Sequence, residues 1–296
     1  MANYIRPSKF DDIIGQKDVL DRLRVCVEGC KNTASVMPHV LIDGPPGLGK
    51  TTIASAIATE LNVNLHVTNA ANLRSIKNII PYLSGIAPRS VLFVDEIHRL
   101  PKIVEEFLYP VMEDFVLNIT IENKPEKIDL PMFTMVGATT SGGSLSQPFY
   151  DRFLIKEHLS FYNEDDLAKL AGLNAKKMGV VIDAQDLLEI AKRSKGTPRI
   201  LNARLLWYKN FKSCQSNNKS VDEIFNIQGI DHNGLDTYDR MYLDILKKSK
   251  GTPLGLKSIS SLTGIAIETI ENSIEPYLIR KGFVHRTQKG RVIGTI

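Results

Sequence analysis

From Gly44 to Thr52 the chain reads Gly-Pro-Pro-Gly-Leu-Gly-Lys-Thr-Thr, small and turn-forming residues that end on a lysine and two hydroxyls. Glycines in such a loop let successive backbone N–H groups turn toward one anion, and a helix starting at the lysine adds its positive end. The lysine supplies a compact charge for the outer phosphates, and the hydroxyl beside it is an oxygen donor suited to Mg²⁺. Lys50 and Thr51 hold those positions, with Gly47, Gly49 and Thr52 shaping the cradle. The flanks agree. The largely apolar run 39–43 reads as a strand, and Ile53, Ile57 and Leu61 recur at the spacing of one helix face. Strand, glycine-rich loop and helix in this order make a Walker A loop for a nucleoside triphosphate.

A second chemical pair lies one strand–helix unit further on. Val91-Leu92-Phe93-Val94 is a continuous apolar run, the pattern of a strand buried on both faces of a parallel sheet, and it ends in Asp95-Glu96. Side chains at the carboxyl end of such a strand emerge beside the phosphate loop. Asp95 is expected to serve Mg²⁺, directly or through water, and Glu96 to accept a proton from an attacking water. Read alone, the acidic pair could instead cap the next helix. His98 reads as a packing or hydrogen-bonding group.

The elements that must position these groups alternate through residues 1–160. Helices are expected over 17–31, 73–83 and 103–112, and strands over 39–43, 65–68, 91–94 and 133–138. Such alternation predicts an α/β core, a doubly wound parallel sheet with helices on both faces. The runs 116–121 and 128–130 flank a polar tip at 122–127 and read as a β-hairpin outside the sheet. Its apolar residues either fold back onto the body or form a docking surface. Residues 161–230 read as a small domain of helices only, one opening at 163–167 and others over 184–193 and 198–211, with a polar loop at 213–220. Residues 231–296 give helices at 237–249, 256–263 and 267–280 and a ribbon at 283–286 and 290–293, the order of a winged helix. The last of these helices carries Glu268, Glu271 and Glu275, which would repel phosphates in a groove, whereas Arg280, Lys281, Arg286, Lys289 and Arg291 cluster around the ribbon. If this unit binds nucleic acid, contact should therefore run through the wing to backbone phosphates, with low sequence specificity; the other reading of the charges is a solvated basic patch on a packing module.

Bulk properties narrow the class without choosing within it. The 296 residues are 43% hydrophobic and 24% charged, an ordinary globular balance, with a net charge of +4 that is too small to imply a nucleic-acid partner alone. No apolar run is long enough to span a bilayer, and the first residues carry no secretion pattern. Three cysteines, Cys26, Cys30 and Cys214, make neither a disulfide framework nor a zinc set and suit a reducing cytoplasm.

Taken together, the motifs resemble the RuvB family, AAA+ motors of Holliday-junction branch migration. The resemblance runs nearly end to end: Ile5-Arg6-Pro7, Ile14-Gly15-Gln16, the Walker A loop, Val94-Asp-Glu-Ile-His-Arg-Leu100 and Met112-Glu113-Asp114-Phe115. It continues through Gly137-Ala-Thr-Thr140, Asp151-Arg152-Phe153, Phe161-Tyr162, Gly196-Thr-Pro-Arg-Ile200 and Arg286-Thr-Gln-Lys-Gly-Arg291. It implies ATP and Mg²⁺ as cofactors, duplex and four-way junction DNA and a RuvA-like protein as partners, and a homo-oligomeric, hexameric ring. It implies that Thr140 is sensor 1, with Thr139 as the fallback, that Arg199 is sensor 2 and that Arg152 is the arginine finger for a neighbour's nucleotide. Ile5, Arg6, Tyr162 and Glu113-Asp114-Phe115 match nucleotide contacts, and Arg286 and Arg291 match DNA contacts. The chain departs from the pattern at Phe149-Tyr150, where the family has Leu-Arg, at Ile13, where it has Tyr, and in a shorter hairpin tip. The core motifs alone would also allow a clamp-loader or initiator ATPase, or an ATP-gated DNA-binding module that does no mechanical work.

Overall fold

The computed structural model describes residues 7–121, 124–140, 142–214 and 219–294, and its contacts divide the chain into two compact units, Met1–Tyr162 and Asn163–Ile296. In the first unit the strands are β1 (Val40–Asp43), β2 (Leu65–Asn69), β3 (Val91–Asp95), the hairpin β4 (Val116–Ile121) and β5 (Lys124–Asp129), then β6 (Thr134–Thr139) and β7 (Ile155–His158). Five of them form one parallel sheet in the order β2-β3-β6-β1-β7.

Side chains of a strand point alternately to opposite faces, and here both faces are apolar. Val40, Ile42, Val91, Phe93, Val136 and Ala138 pack against α1 (Lys17–Thr33) and α2 (Lys50–Leu61). Leu41, Leu92, Val94 and Met135 pack on the other side against α3 (Ile76–Ser84) and α4 (Lys102–Glu113). Burying each such side chain contributes about 1.5–3 kcal/mol, so the central strands form the best-anchored part of the unit.

Several elements differ from what periodicity predicts. Asn69 caps a 3-10 turn, Ala70–Asn72, which delays the start of α3 to Ile76. The strand β7, Ile-Lys-Glu-His, and the short helix α5 (Gln147–Asp151) have no expected counterpart. β7 is an edge strand, so a polar sequence suffices there; its buried Glu157 is held by Arg22 of α1 at 3.0 Å. In the hairpin, residues 124–127 are strand rather than tip, and 122–123 lie outside the described residues. Pro125 is tolerated because β5 is exposed along its length and pairs only with β4. Val116 and Leu117 anchor the hairpin base in the core, while Ile128 stays exposed.

His39, just before β1, joins three of these elements. The backbone N–H of Met135 donates to its Nδ1 at 2.9 Å, which leaves Nε2 to donate to the Met112 carbonyl at 3.0 Å. Phe115 and Phe133 flank the ring.

The second unit is helical: α6 (Glu164–Lys177), α7 (Ala184–Lys192), α8 (Pro198–Cys214), α9 (Val221–Ile227), α10 (Thr237–Lys248) and α11 (Leu256–Thr263). The short α9 lacks the length to show a period, but Ser220 and Glu223 form its capping box. The last helix, α12, runs over 267–280 and contains a π turn at Ile270–Ile274. It precedes the antiparallel ribbon of β8 (Val284–Thr287) and β9 (Gly290–Ile293).

Burial holds the His39 imidazole below its ordinary pKa of 6.5, against the raising effect of its bond to Met112. The unfolded chain therefore binds the proton more readily than the folded one, and this contribution is present above pH 6.5 and lost as pH falls below it. Urea unfolding followed across this range should show a lower midpoint at the acid end, and His39→Gln, which retains a donor and an acceptor, should reduce that slope.

Candidate functional site

β6 lies between β1 and β3, so the ends of all three strands meet at one edge of the sheet. The phosphate loop leaves β1 there. Gly49 caps α2 with φ +107°, and Gly47 has φ +82°, conformations that a side chain would resist. The Gly44 N–H donates to the Thr139 carbonyl at 3.2 Å and ties the loop to β6. Lys50 begins α2 and is buried; its Nζ donates to the carbonyls of Gly44 at 2.7 Å and Pro45 at 3.2 Å. Thr51 and Thr52 are half-buried in the first turn. A buried ammonium beside a glycine-rich loop at a helix start fits a bound polyphosphate. The Thr51 hydroxyl and Asp95 carboxylate are the hard oxygen donors that Mg²⁺ prefers alongside phosphate oxygens.

On β3, Asp95 is half-buried and accepts the backbone N–H of Glu96 at 3.0 Å. Glu96 adopts φ +50° and begins a 3-10 turn, Ile97–Arg99, rather than capping an α-helix. Its Oε2 accepts the Thr140 hydroxyl at 3.1 Å, so the expected base and the expected sensor 1 are in contact. Thr139 turns instead to His98, at 2.9 Å from Nδ1.

Arg152 and Glu113, expected in different roles, are paired at 2.9 Å. The Arg152 guanidinium also donates to the Pro148 carbonyl at 2.6 Å and stacks on Tyr109, 4.1 Å from the ring centroid. Asp114 is exposed at the C-cap of α4. Phe115 has φ +55° and packs edge-on to Phe133. Phe149 is fully buried against Phe153 and Tyr109. Tyr150, where the family has an arginine, stacks under Lys156. It lines a cavity of about 370 Å³ with Asp43, Gly142 and His158, beyond the end of β1. Tyr162 packs on Gly15 so closely that a β-carbon there would lie 2.6 Å from the ring. Ile5 and Arg6 lie outside the described residues.

In the second unit Arg199 is exposed on the first turn of α8. The segment before it is buried. Lys195 binds Asp239 and, at 3.2 Å, Asp236, both at the start of α10, while Arg280 of α12 donates to the Lys195 carbonyl at 3.0 Å. Burial raises the Asp239 carboxyl, and for Asp236 Lys195 and backbone N–H groups outweigh burial and lower it. This segment joins lid and winged helix, and the sequence carries no local signal for it.

The wing corrects one expectation. Glu275 does not face a groove; it is fully buried. Arg286 Nε donates to it at 2.9 Å, Arg291 Nε at 2.8 Å and the Tyr242 hydroxyl at 2.8 Å. Burial would raise this carboxyl, but its bonds to Arg291, Tyr242 and Arg286 prevail and hold it below the usual range. The partners lie eleven and sixteen residues away on the ribbon, beyond the reach of helical periodicity. Arg286 keeps about half its side chain exposed, whereas Arg291 is mostly covered.

Fold and site define an AAA+ P-loop ATPase with a helical lid and a C-terminal winged helix. Three family descriptions match in succession: the Holliday junction DNA helicase RuvB P-loop domain over 5–159, the RuvB AAA lid domain over 162–236 and the RuvB C-terminal winged helix domain over 232–295. The chain belongs to the RuvB family. It is 42% identical over 301 residues to the Holliday junction branch migration complex subunit RuvB of Myxococcus xanthus, covering 97% of this chain and 87% of that protein. The subunit of the same name from Rhodopirellula baltica is 39% identical, covering 97% and 81%. The solved RuvB branch migration motor of Thermotoga maritima superposes with a TM-score of 0.89 at 38% identity, over 98% of this chain and 96% of that one. The family's P-loop implies nucleotide binding with a divalent metal. No helix among the described residues is long and apolar enough to cross a membrane.

Glu275→Ala would leave two guanidinium groups and a hydroxyl without their shared acceptor, at a cost of about 3 kcal/mol. Thermal unfolding should show the loss, while Glu268→Ala, an exposed position on the same helix, should change stability little.

Proposed function

We propose that this chain is an ATP-driven motor that moves Holliday junctions as a homo-oligomeric, hexameric ring around duplex DNA, with a RuvA-like junction-binding partner at the hairpin. Its working parts are a large ATPase domain over 1–160, a lid over 161–230 and a winged helix over 231–296. The observation that carries the reading is the meeting of Glu96 and Thr140 at the sheet edge where the Walker A loop begins.

ATP is the nucleotide. Lys50 binds its outer phosphates, with Gly47, Gly49, Thr51 and Thr52 supplying the cradle. Thr51 and Asp95 would hold Mg²⁺, which would supply neutralisation of phosphate charge. Glu96 accepts the proton of the attacking water while Thr140 orients it. Arg199 reads the phosphates from the lid. Arg152 serves the neighbouring protomer's site, which is why its hold on Glu113 and Tyr109 in its own subunit must be exchangeable. An exposed ion pair of this kind is worth at most about 1 kcal/mol, small beside the charge of a triphosphate. Ile5, Arg6, Tyr162 and Glu113–Phe115 complete the nucleotide contacts. Arg286 and Arg291 meet DNA phosphates, with Arg286 offering the more open face. A cytoplasmic setting agrees with three free cysteines.

Lys50→Ala should lose nucleotide binding, and Glu96→Gln should bind ATP but barely turn it over. Arg152→Ala should bind ATP yet lose about 10³–10⁵ in turnover. Mixing the Lys50→Ala and Arg152→Ala chains should restore part of the ATPase activity, because each supplies what the other's site lacks. Mixtures no more active than their components would remove Arg152 from action in trans.

A further inference from the structure

The turn that follows Glu96 brings a second polar side chain back to its carboxylate. After β3 the chain passes through Glu96 in the left-handed region, at φ +50°, and enters the 3-10 turn Ile97–Arg99. That turn is pinned from below. Ile97 is fully buried and packs on Gly137 of β6 so closely that a β-carbon there would lie 2.8 Å from its Cδ1. His98 is thereby carried back toward the Glu96 side chain. Its Nδ1 stands 2.9 Å from Thr139 Oγ1 and 3.4 Å from Glu96 Oε2, the same oxygen that accepts the Thr140 hydroxyl.

The consecutive threonines at the end of β6 and just beyond it thus have separate partners. Thr139, fully buried, fixes the imidazole, and Thr140, half-buried, binds the carboxylate. A ring needed only for packing would be served by a leucine, with no polar atom facing a hydroxyl and a carboxylate. The His98 side chain is only 18% exposed, so its ring is held among these polar partners rather than free in solvent. A general base works only within hydrogen-bond reach of the proton it takes, and a misplacement of about 1 Å can lower turnover about 10²-fold.

We propose that His98, oriented by Thr139, is a positioning residue that sets the Glu96 carboxylate for its attack-activating role. The proposal rests on reading Glu96 as the base, so its test separates the two ideas. ATP turnover, nucleotide affinity and thermal midpoint are measured on the full chain carrying His98→Ala, His98→Asn, Thr139→Val, the His98→Ala/Thr139→Val pair, and Glu96→Gln. His98→Ala and Thr139→Val should each lower kcat, by between about tenfold and about 10²-fold, with nucleotide affinity and thermal midpoint little changed. The pair should be no worse than the weaker single variant, since both act through one carboxylate. His98→Asn, which places a polar atom near the Nδ1 position, should recover part of the rate.

Unchanged kcat in His98→Ala overturns the proposal, as do additive losses in the pair, or a loss mirrored by weaker nucleotide binding or a lower midpoint. If His98→Ala does not fold, Thr139→Val and His98→Asn decide: a normal kcat in both overturns it. Glu96→Gln marks which idea failed. An inactive Glu96→Gln beside a normal His98→Ala sinks the positioning role alone, and a normal Glu96→Gln sinks the assignment of the base along with it.

Discussion

The parallel register between β3 and β6 is the constraint on which the site depends. Val91 pairs with Thr134 and Val94 with Gly137, so β3, which ends at Asp95, and β6, which ends at Thr139, finish side by side and release Glu96 and Thr140 at one edge. β6 is in turn paired with β1 from Val40↔Val136 to Asp43↔Thr139, which places the phosphate loop at the same edge. A slip of one residue would send each side chain to the opposite face. Close packing on both faces opposes it, because a slip would exchange Phe93 and Val94 between the two helix layers and misfit both. The register that stabilises the core is therefore also what brings a carboxylate and a hydroxyl to 3.1 Å.

Charge is used differently in the second unit. Lys195, Asp239 and Glu275 are buried polar groups with partners in distant elements, and they link the lid to α10 and α12 to the ribbon. Such pairs contribute little net stability compared with an apolar substitute but penalise misassembly heavily. They fix the wing arginines in one geometry and tie the backbone before Arg199 to the winged helix. The Glu275 contact also changes the electrostatic picture of α12. An acid that counts against DNA in a linear reading of charge is neutralised internally, and Glu268 and Glu271 remain as the exposed acids of that helix.

Much of the core was legible from residues alone, because its signals are local. The Walker A loop, the apolar runs of β1, β3 and β6, and the helical period after Lys50 lie within windows shorter than the elements they define. The winged helix was legible as an order of elements. β7 was not, since an edge strand that needs one buried residue, Glu157, carries no apolar pattern. α5 and α9 were too short for a period to emerge. The hairpin tip was misjudged because polar and proline residues serve as well on an exposed edge strand as in a loop. Among site residues, Glu96 was legible from the apolar run that ends beside it and Thr140 through the resemblance alone, whereas the contacts of His98, Tyr109 and Glu275 depend on tertiary packing that no spacing in the sequence encodes.

On the proposed function, hydrolysis at this sheet edge is converted into movement of DNA. Strand exchange on a synthetic four-way junction, followed with a RuvA-type partner alongside ATP turnover in the same reaction, tests it most directly. Junction movement should require ATP, stop with Glu96→Gln although ATP still binds, and scale with turnover across partially active variants. Turnover stimulated by junction DNA without any strand exchange, or exchange that persists when hydrolysis is blocked, would contradict it.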